Sequence, residues 1–333
     1  MNLEFFKELL SIDSTSGKER KVAEWLAERL PGMFPAANRP VLRAEEVGDG
    51  TLNLLLTWGS PRIVFCSHLD TVPPYIEPSF ADEVIKGRGS CDAKGQVFAI
   101  VEACKRLAEE GKTDFGMLLL AGEETGSWGA KAFAKTAFRA EYLVVGEPTD
   151  NCMVSASKGT KSFDLKFTGE PFHSGYPQYG VSAVDLFVEF VNALKAKDFG
   201  MDPVLGETTW NIGLVHSDNP QNILSPELTC RLYFRTTFVS DEAVCQWMTE
   251  AQSGRLTVTP RGGDTPARYW TVEGLPSKSV AFGSDAPHLK NFTHKAICGP
   301  GSITVAHRDD ECIRAADLAT AVEQYIKLFE SVS

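Results

Sequence analysis

Four short apolar runs of this chain each lead into a residue that can bind a metal ion or move a proton. Residues 62–66 run into Ser67, His68, Leu69 and Asp70. Residues 117–121 run into Gly122, Glu123 and Glu124, and residues 142–145 into Gly146, Glu147, Pro148 and Thr149. Residues 295–298 run into Gly299, Pro300 and Gly301 and, shortly after, His307. A fifth segment places Asp92 after Gly87, Arg88, Gly89, Ser90 and Cys91, just ahead of a long helical pattern. Imidazole and carboxylate together suit Zn²⁺, with Co²⁺ or Mn²⁺ as substitutes. A single catalytic zinc keeps one position open, so His68, Asp92, Glu124, Glu147 and His307 are too many for it. They suit two metals that share one bridging carboxylate and hold a water for attack. Asp70 is close enough to His68 to accept its free ring N–H. Glu123, beside a ligand, can act as general base.

Taken singly, each of these residues has a bland reading. A His or Glu after a strand is commonly a solvated loop residue. Paired glutamates suit the start of a helix. His173, His216, His288 and His294 are also present, so histidine supply does not single out His68 and His307. The argument is the joint pattern, and it requires elements that bring the set together.

Those elements are legible as alternation. Strands are expected at 52–56, 62–66, 117–121 and 142–145, and helices at 22–30, 95–110 and 130–138. Gly111 stands where the long helix should stop. Short apolar strands alternating with helices imply an α/β fold with a buried, mostly parallel central sheet. Ligands of such a sheet bind beyond the carboxyl ends of its strands, which is where all five segments point. Near Lys158 the pattern changes. Residues 162–169 alternate apolar and polar with period two, a helix is expected at 181–195, and strands at 210–215, 228–236 and 256–260. Residues 261–267 read as a linker. A strand at 295–298 and a helix at 315–329 then return to the first style. The expected organisation is therefore a catalytic domain, 1–157 and 263–333, interrupted by an α+β domain at 158–262.

Composition narrows the function classes. The 333 residues carry 33 Lys plus Arg against 44 Asp plus Glu, a formal charge of −11, which argues against nucleic acid as the main partner. No run approaches the roughly 18 apolar residues of a membrane span. The first 30 residues interleave apolar and charged positions like an amphipathic helix broken at 11–17, and not like an export signal. Eight cysteines without a C-x-x-C pair read as reduced thiols of a cytoplasmic protein. A serine hydrolase is disfavoured because no G-x-S-x-G elbow occurs.

Five ordered blocks carry a family resemblance: SHLDTVP from Ser67, GRGSCDAKG from Gly87, GEET from Gly122, GEPT from Gly146 and GPGSITVAHRDDE from Gly299. With them the chain resembles the M20 metallopeptidase and deacylase family over nearly its full length. The resemblance implies a zinc-bearing catalytic domain with an inserted lid and dimerisation domain, acting as a homodimer. It implies that Asp92 bridges two Zn²⁺ ions, that His68 and Glu147 complete one site, and that Glu124 and His307 complete the other. Glu123 matches the general base and Asp70 the orienting partner of His68, and the peptide bond after Asp92 is expected to be cis. His173, in PFHSGYPQYGVSA, matches a lid histidine that reaches across the dimer to the scissile carbonyl. Asn222 and Arg235 match residues that hold the substrate. Gly283, Ser284 and Asp285 match a loop lining the amino-acid pocket, where Asp285 could pair with a substrate ammonium. GPGSITVAH and the segment at Ser284 look like acetylornithine deacetylases, while GKERKVAEWLAE at Gly17 and GRGSCDAKG look like acetyl-lysine deacetylases. The expected reaction is metal-dependent removal of an acyl group from an N-acyl amino acid, foremost an N-acetylated basic one. Desuccinylation, dipeptide hydrolysis and a non-catalytic metal-binding role are the alternatives. Arg308, where the family often has a small or polar residue, and Cys312, where it often has an aromatic, depart from the pattern.

Overall fold

The apolar runs of the first half become Thr51–Trp58, Ile63–His68, Phe115–Leu120 and Ala140–Val145, all strands of one six-stranded sheet in the computed structural model, which describes residues 1–81 and 83–332. Across the sheet the order is Val41–Val47, Thr51–Trp58, Phe115–Leu120, Ile63–His68, Ala140–Val145 and Phe292–Ile297. The last four pair in parallel and Thr51–Trp58 runs antiparallel to both of its neighbours, giving the mostly parallel α/β sheet expected from the sequence. Every residue of Ile63–His68 and Phe115–Leu120 is buried. Strands covered on both faces have no reason to alternate, which is why they read as continuous apolar runs. The chain leaves Ile63–His68 for a neighbour on one side and then returns to its other side. His68 therefore ends the strand at the switch point of the sheet, where a crevice opens.

Helix Lys94–Glu109 packs against Ile63–His68, Phe115–Leu120 and the closing helix Ala315–Glu330. Its apolar residues Val97, Phe98, Ile100 and Val101 are fully buried, each worth about 1.5–3 kcal/mol for the larger side chains. The helix ends in a Schellman arrangement. Gly111 takes φ +72°, its N–H bonds Ala108 O at 3.0 Å, and the Lys112 N–H bonds Leu107 O at 2.9 Å.

Several elements differ from the sequence reading, among them short strands such as Met153–Ser157 and Cys312–Arg314 that it did not place. Strand Val41–Val47 was not anticipated, because an exposed edge strand can be polar, and Arg43, Glu45 and Glu46 are polar. The helix expected at 130–138 is the shorter Trp128–Phe133. Asn291 Nδ2 donates to the carbonyls of Phe133 at 3.3 Å and Phe138 at 2.9 Å, so the chain turns there without continuing the helical ladder. Helix Asp241–Ala251 was also missed, although Ser240, Asp241 and Glu242 precede Val244 and Met248 at helical spacing.

The chain divides into two compact units, Met1–Ser155 with Tyr269–Lys278 and Ser284–Ser333, and Ala156–Arg268 with Ser279–Gly283. The second unit holds a four-stranded antiparallel sheet in the order Thr209–His216, Glu227–Thr236, Gly159–Thr168 and Leu256–Gly262. Residues 261–267 are thus in part strand. Its own core gathers Phe163, Leu165, Phe167, Leu232 and Phe234 from the strands with Val244, Met248 and Leu194 from helices Asp241–Ala251 and Ala183–Ala196. Period-two burial along Glu227–Thr236 matches a sheet with one covered face.

Candidate metal centre

The strand that carries His68 ends on it, and the ring is almost fully buried. His68 Nδ1 lies 3.0 Å from the backbone carbonyl of Asp70 and 3.4 Å from Asp70 Oδ1. The carbonyl is the nearer acceptor, so a proton on Nδ1 leaves Nε2 as the free donor atom of a neutral ring. Nε2 lies 3.2 Å from Asp92 Oδ1. The other oxygen, Asp92 Oδ2, faces His307 Nε2 at 3.4 Å, and His307 Nε2 is 3.1 Å from Glu124 Oε1. Asp92 thus presents one oxygen to each of two imidazoles that come from opposite ends of the chain. Ligand atoms of His68, Asp92 and Glu124 all lie within 4.8 Å of one another.

Local structure explains these placements. Asp92 sits two residues before helix Lys94–Glu109, and the peptide bond Asp92–Ala93 is cis. Glu123 and Glu124 follow strand Phe115–Leu120. Their N–H groups donate to the two oxygens of Asp70 at 3.0 and 3.2 Å, and Ser16 Oγ donates to Asp70 Oδ2 at 2.8 Å. Asp70 therefore positions the glutamate loop as well as His68. His307 takes φ +63°, a left-handed conformation that an L side chain adopts at a cost and that is common at functional positions. Glu147 follows strand Ala140–Val145 and is buried. Its Oε1 has no hydrogen-bond partner among the described residues.

The electrostatics are those of crowded negative charge. Burial pushes the Glu123 carboxyl well above its usual range, with Asp285, Glu124 and Asp92 adding to the rise. Burial does the same to Glu147, helped by Glu123. Asp285, fully buried with Oδ1 unpartnered among the described residues, is raised to about 6 by burial. Burial works against a charged His68, yet its hydrogen bonds to Asp70 and Asp92 hold that imidazole well above its usual value. Hydrogen bonds to Asp92 and Glu124 raise His307 to about 10. Asp92 is pulled far down despite burial, by hydrogen bonds from His307 and His68. Six carboxylates thus share two imidazoles. An unpartnered buried oxygen and a carboxylate-rich, imidazole-bearing donor set fit one or more divalent cations of the zinc type.

The remaining expected residues are distributed between the units. Ser284 and Asp285 are buried in the first. Ser284 Oγ accepts the Ala286 N–H at 3.3 Å, and Asp285 is hydrogen-bonded by Ser127 of the glutamate loop. His173, Asn222, Arg235 and Gly283 belong to the second unit. There the His173 and Asn222 loops meet. Ser174 N–H bonds Asn222 O at 2.9 Å, and His173 and Asn222 are both exposed. The Arg235 guanidinium lies 5.0 Å over the ring of Tyr233. Two residues that the sequence reading passed over stand close in sequence to Asp92 and His307. Arg88 and Glu311 form a buried ion pair at 2.6 Å. Their signal was position, since Arg88 lies four residues before Asp92 and Glu311 four after His307.

The model of peptidase family M20/M25/M40 matches residues 64–331. A protein of Aspergillus terreus named "Probable carboxypeptidase" is 33% identical over 373 aligned positions, covering 99% of this chain and 86% of that one. A "Peptidase M20 domain-containing protein" of Schizosaccharomyces pombe is 30% identical, with 97% and 82% covered. Among solved structures, a tripeptidase of Staphylococcus aureus has the same fold, with a TM-score of 0.83 at 20% identity and 99% and 97% covered. Human carnosine dipeptidase 1 is similar at a TM-score of 0.66 and 14% identity, with 98% and 95% covered. With a family model spanning most of its length, and with relatives above 30% identity along nearly all of it, the chain belongs to peptidase family M20/M25/M40, whose members are metal-dependent hydrolases.

Proposed function

We propose that this protein hydrolyses the amide bond of an N-acyl amino acid at a centre of two Zn²⁺ ions, and that its substrate is an N-acetylated basic amino acid of the acetylornithine or acetyl-lysine type. The observation that carries the reading is Asp92, whose two oxygens face His68 and His307 separately, as a bridging ligand's would. Asp92 with His68 and Glu147 would hold one ion, and Asp92 with Glu124 and His307 the other. When bound, the ions supply Lewis acidity to the scissile carbonyl and acidify the attacking water. Glu123 takes the proton of that water and returns it to the leaving amine. Burial raises its affinity for a proton, which favours taking one from the water. Asp70 holds the loop on which Glu123 rides. The second unit is assigned to lid and dimerisation, with His173, Asn222 and Arg235 as its substrate residues in a homodimer. Asp285, buried and acidic in the first unit, supports a cationic substrate by charge.

A second reading, an exopeptidase, is favoured by the names of several relatives, which read "Probable carboxypeptidase". The two are separated by amine release from a panel. The panel holds N-acetylornithine, N-acetyl-lysine, N-acetylcitrulline, N-succinyl-diaminopimelate and neutral dipeptides with free and blocked amino ends, with added Zn²⁺ or Co²⁺ and a chelator control. Chelator-sensitive hydrolysis of one acetylated basic amino acid is the expected result. Cleavage confined to dipeptides would replace the deacetylase reading with the exopeptidase one. A protein that carries two metals and cleaves nothing would be a metal-binding interaction module. Light scattering tests the dimer, and a monomer at working concentration would remove it.

A further inference from the structure

The Arg88–Glu311 pair is buried completely, with side chains 1% and 0% exposed, and it touches the backbone on three sides. Glu311 Oε1 accepts the N–H groups of Gly89 at 3.0 Å, Cys91 at 2.9 Å and Asp92 at 2.9 Å. Arg88 Nη1 donates to Glu311 Oε2 and to the carbonyl of Arg308 at 3.2 Å, while Nε donates to the carbonyl of Pro74 at 3.2 Å. Three loops therefore converge on one ion pair. One begins at His68 and passes Pro74, one ends at Asp92, and one begins at His307 and ends at Glu311.

We propose that the Arg88–Glu311 pair is the positioning device of the metal centre, holding the loops of His68, Asp92 and His307 in ligating register before any metal arrives. The inference rests on the metal-centre reading above. Taking two charges out of water is expensive, and an apolar pair of the same volume would often be as stable. The return lies in what the charges fix. A carboxylate that accepts several N–H groups of one turn leaves that turn a single conformation, as an anion does in a backbone nest. Here the last of those N–H groups belongs to Asp92 itself. The guanidinium then ties that turn to the two carbonyls, and its planar fork makes the geometry specific. Neither residue touches substrate, so both are positioning residues.

The test has two arms. In the first, metal affinity is measured by competition with a chromophoric Zn²⁺ chelator for the wild type, Glu311→Gln and Arg88→Lys, with folding checked by circular dichroism. Glu311→Gln keeps the shape and loses the charge, and Arg88→Lys keeps the charge and loses the fork. Both are expected to bind Zn²⁺ about 10–100-fold more weakly, as supporting partners of metal ligands do when altered. Folded variants with wild-type affinity would overturn the proposal and leave the metal centre standing. A wild type that binds no Zn²⁺ would overturn the metal-centre reading and the proposal with it. In the second arm, hydrogen exchange of the Gly89, Cys91 and Asp92 amides is followed in the metal-free wild type, which decides the matter even if the variants do not fold. Slow exchange without metal is expected. Exchange that is fast until metal is added would overturn the proposal.

Discussion

Glu123 and Asp92 are adjacent in the site but differ in what their removal should do. Glu123→Gln is expected to keep full metal content and to lower kcat by about 10²–10⁴-fold, the usual contribution of a general base. Asp92→Ala should lose metal as well, since its two oxygens face both imidazoles. Metal analysis beside steady-state kinetics separates them. His307 makes a prediction about protons. Without metal its imidazole is held at about 10, so it is charged at pH 8, and ligation requires the neutral ring. Zn²⁺ binding at pH 8 should therefore release on the order of one proton from this group, read by calorimetry in buffers of different ionisation enthalpy. The same shift has a sign for stability. A group raised in the folded state stabilises fully below its unfolded value of 6.5, and that contribution is lost as pH rises through about 10. The metal-free protein should thus lose stability across that window, and His307→Gln should lose less.

At the scale of elements, the turn into helix Lys94–Glu109 is the sensitive one. A Cβ at Gly95 would lie 2.2 Å from the backbone oxygen of Ser90, so Gly95→Ala must move the turn that carries Asp92. Its expected cost is above 1 kcal/mol, with metal affinity falling as well. Gly32, at the end of helix Arg20–Met33, is the contrast: nothing lies within 4 Å of the added methyl. Gly32→Ala should be neutral or stabilising by up to about 1 kcal/mol. Denaturant titration of both variants reads the difference. Elements with strong periodicity or an unbroken apolar run were legible from sequence, as with Ile63–His68 and Ala315–Glu330. Strand Val41–Val47 was not, because it is pairing with Thr51–Trp58 that makes this largely polar segment a strand. The end of helix Trp128–Phe133 was also invisible, since it depends on Asn291, 158 residues away in sequence.

Across the whole molecule, the two units have separate cores, so damage to each should read differently. Phe234→Ala, in the core of the second unit, is expected to cost about 3–5 kcal/mol and to leave Zn²⁺ content unchanged. Leu119→Ala, in the central sheet, is expected to cost about 2–5 kcal/mol and to lower metal content, because its strand leads directly to Glu123 and Glu124. Chemical denaturation with metal analysis on the same samples checks both.

The sequence by itself determined the α/β class and the carboxyl-end location of the reactive residues. It also supplied His68, Asp92, Glu123, Glu124, Glu147 and His307 as a candidate set. These follow from local causes: apolar runs make buried strands, and a parallel sheet sends the ends of its strands to one edge. Only the tertiary structure decided how those residues meet. That the Asp70 carbonyl, two residues on, is the nearer partner of His68 is a matter of local backbone geometry, while Asp70 carrying the glutamate loop and Glu311 gripping the Asp92 amide are contacts across 53 and 219 residues of sequence. Such contacts depend on burial and on backbone hydrogen bonds that have no signature in residue type, because any acid in a loop can be solvated until the fold closes over it.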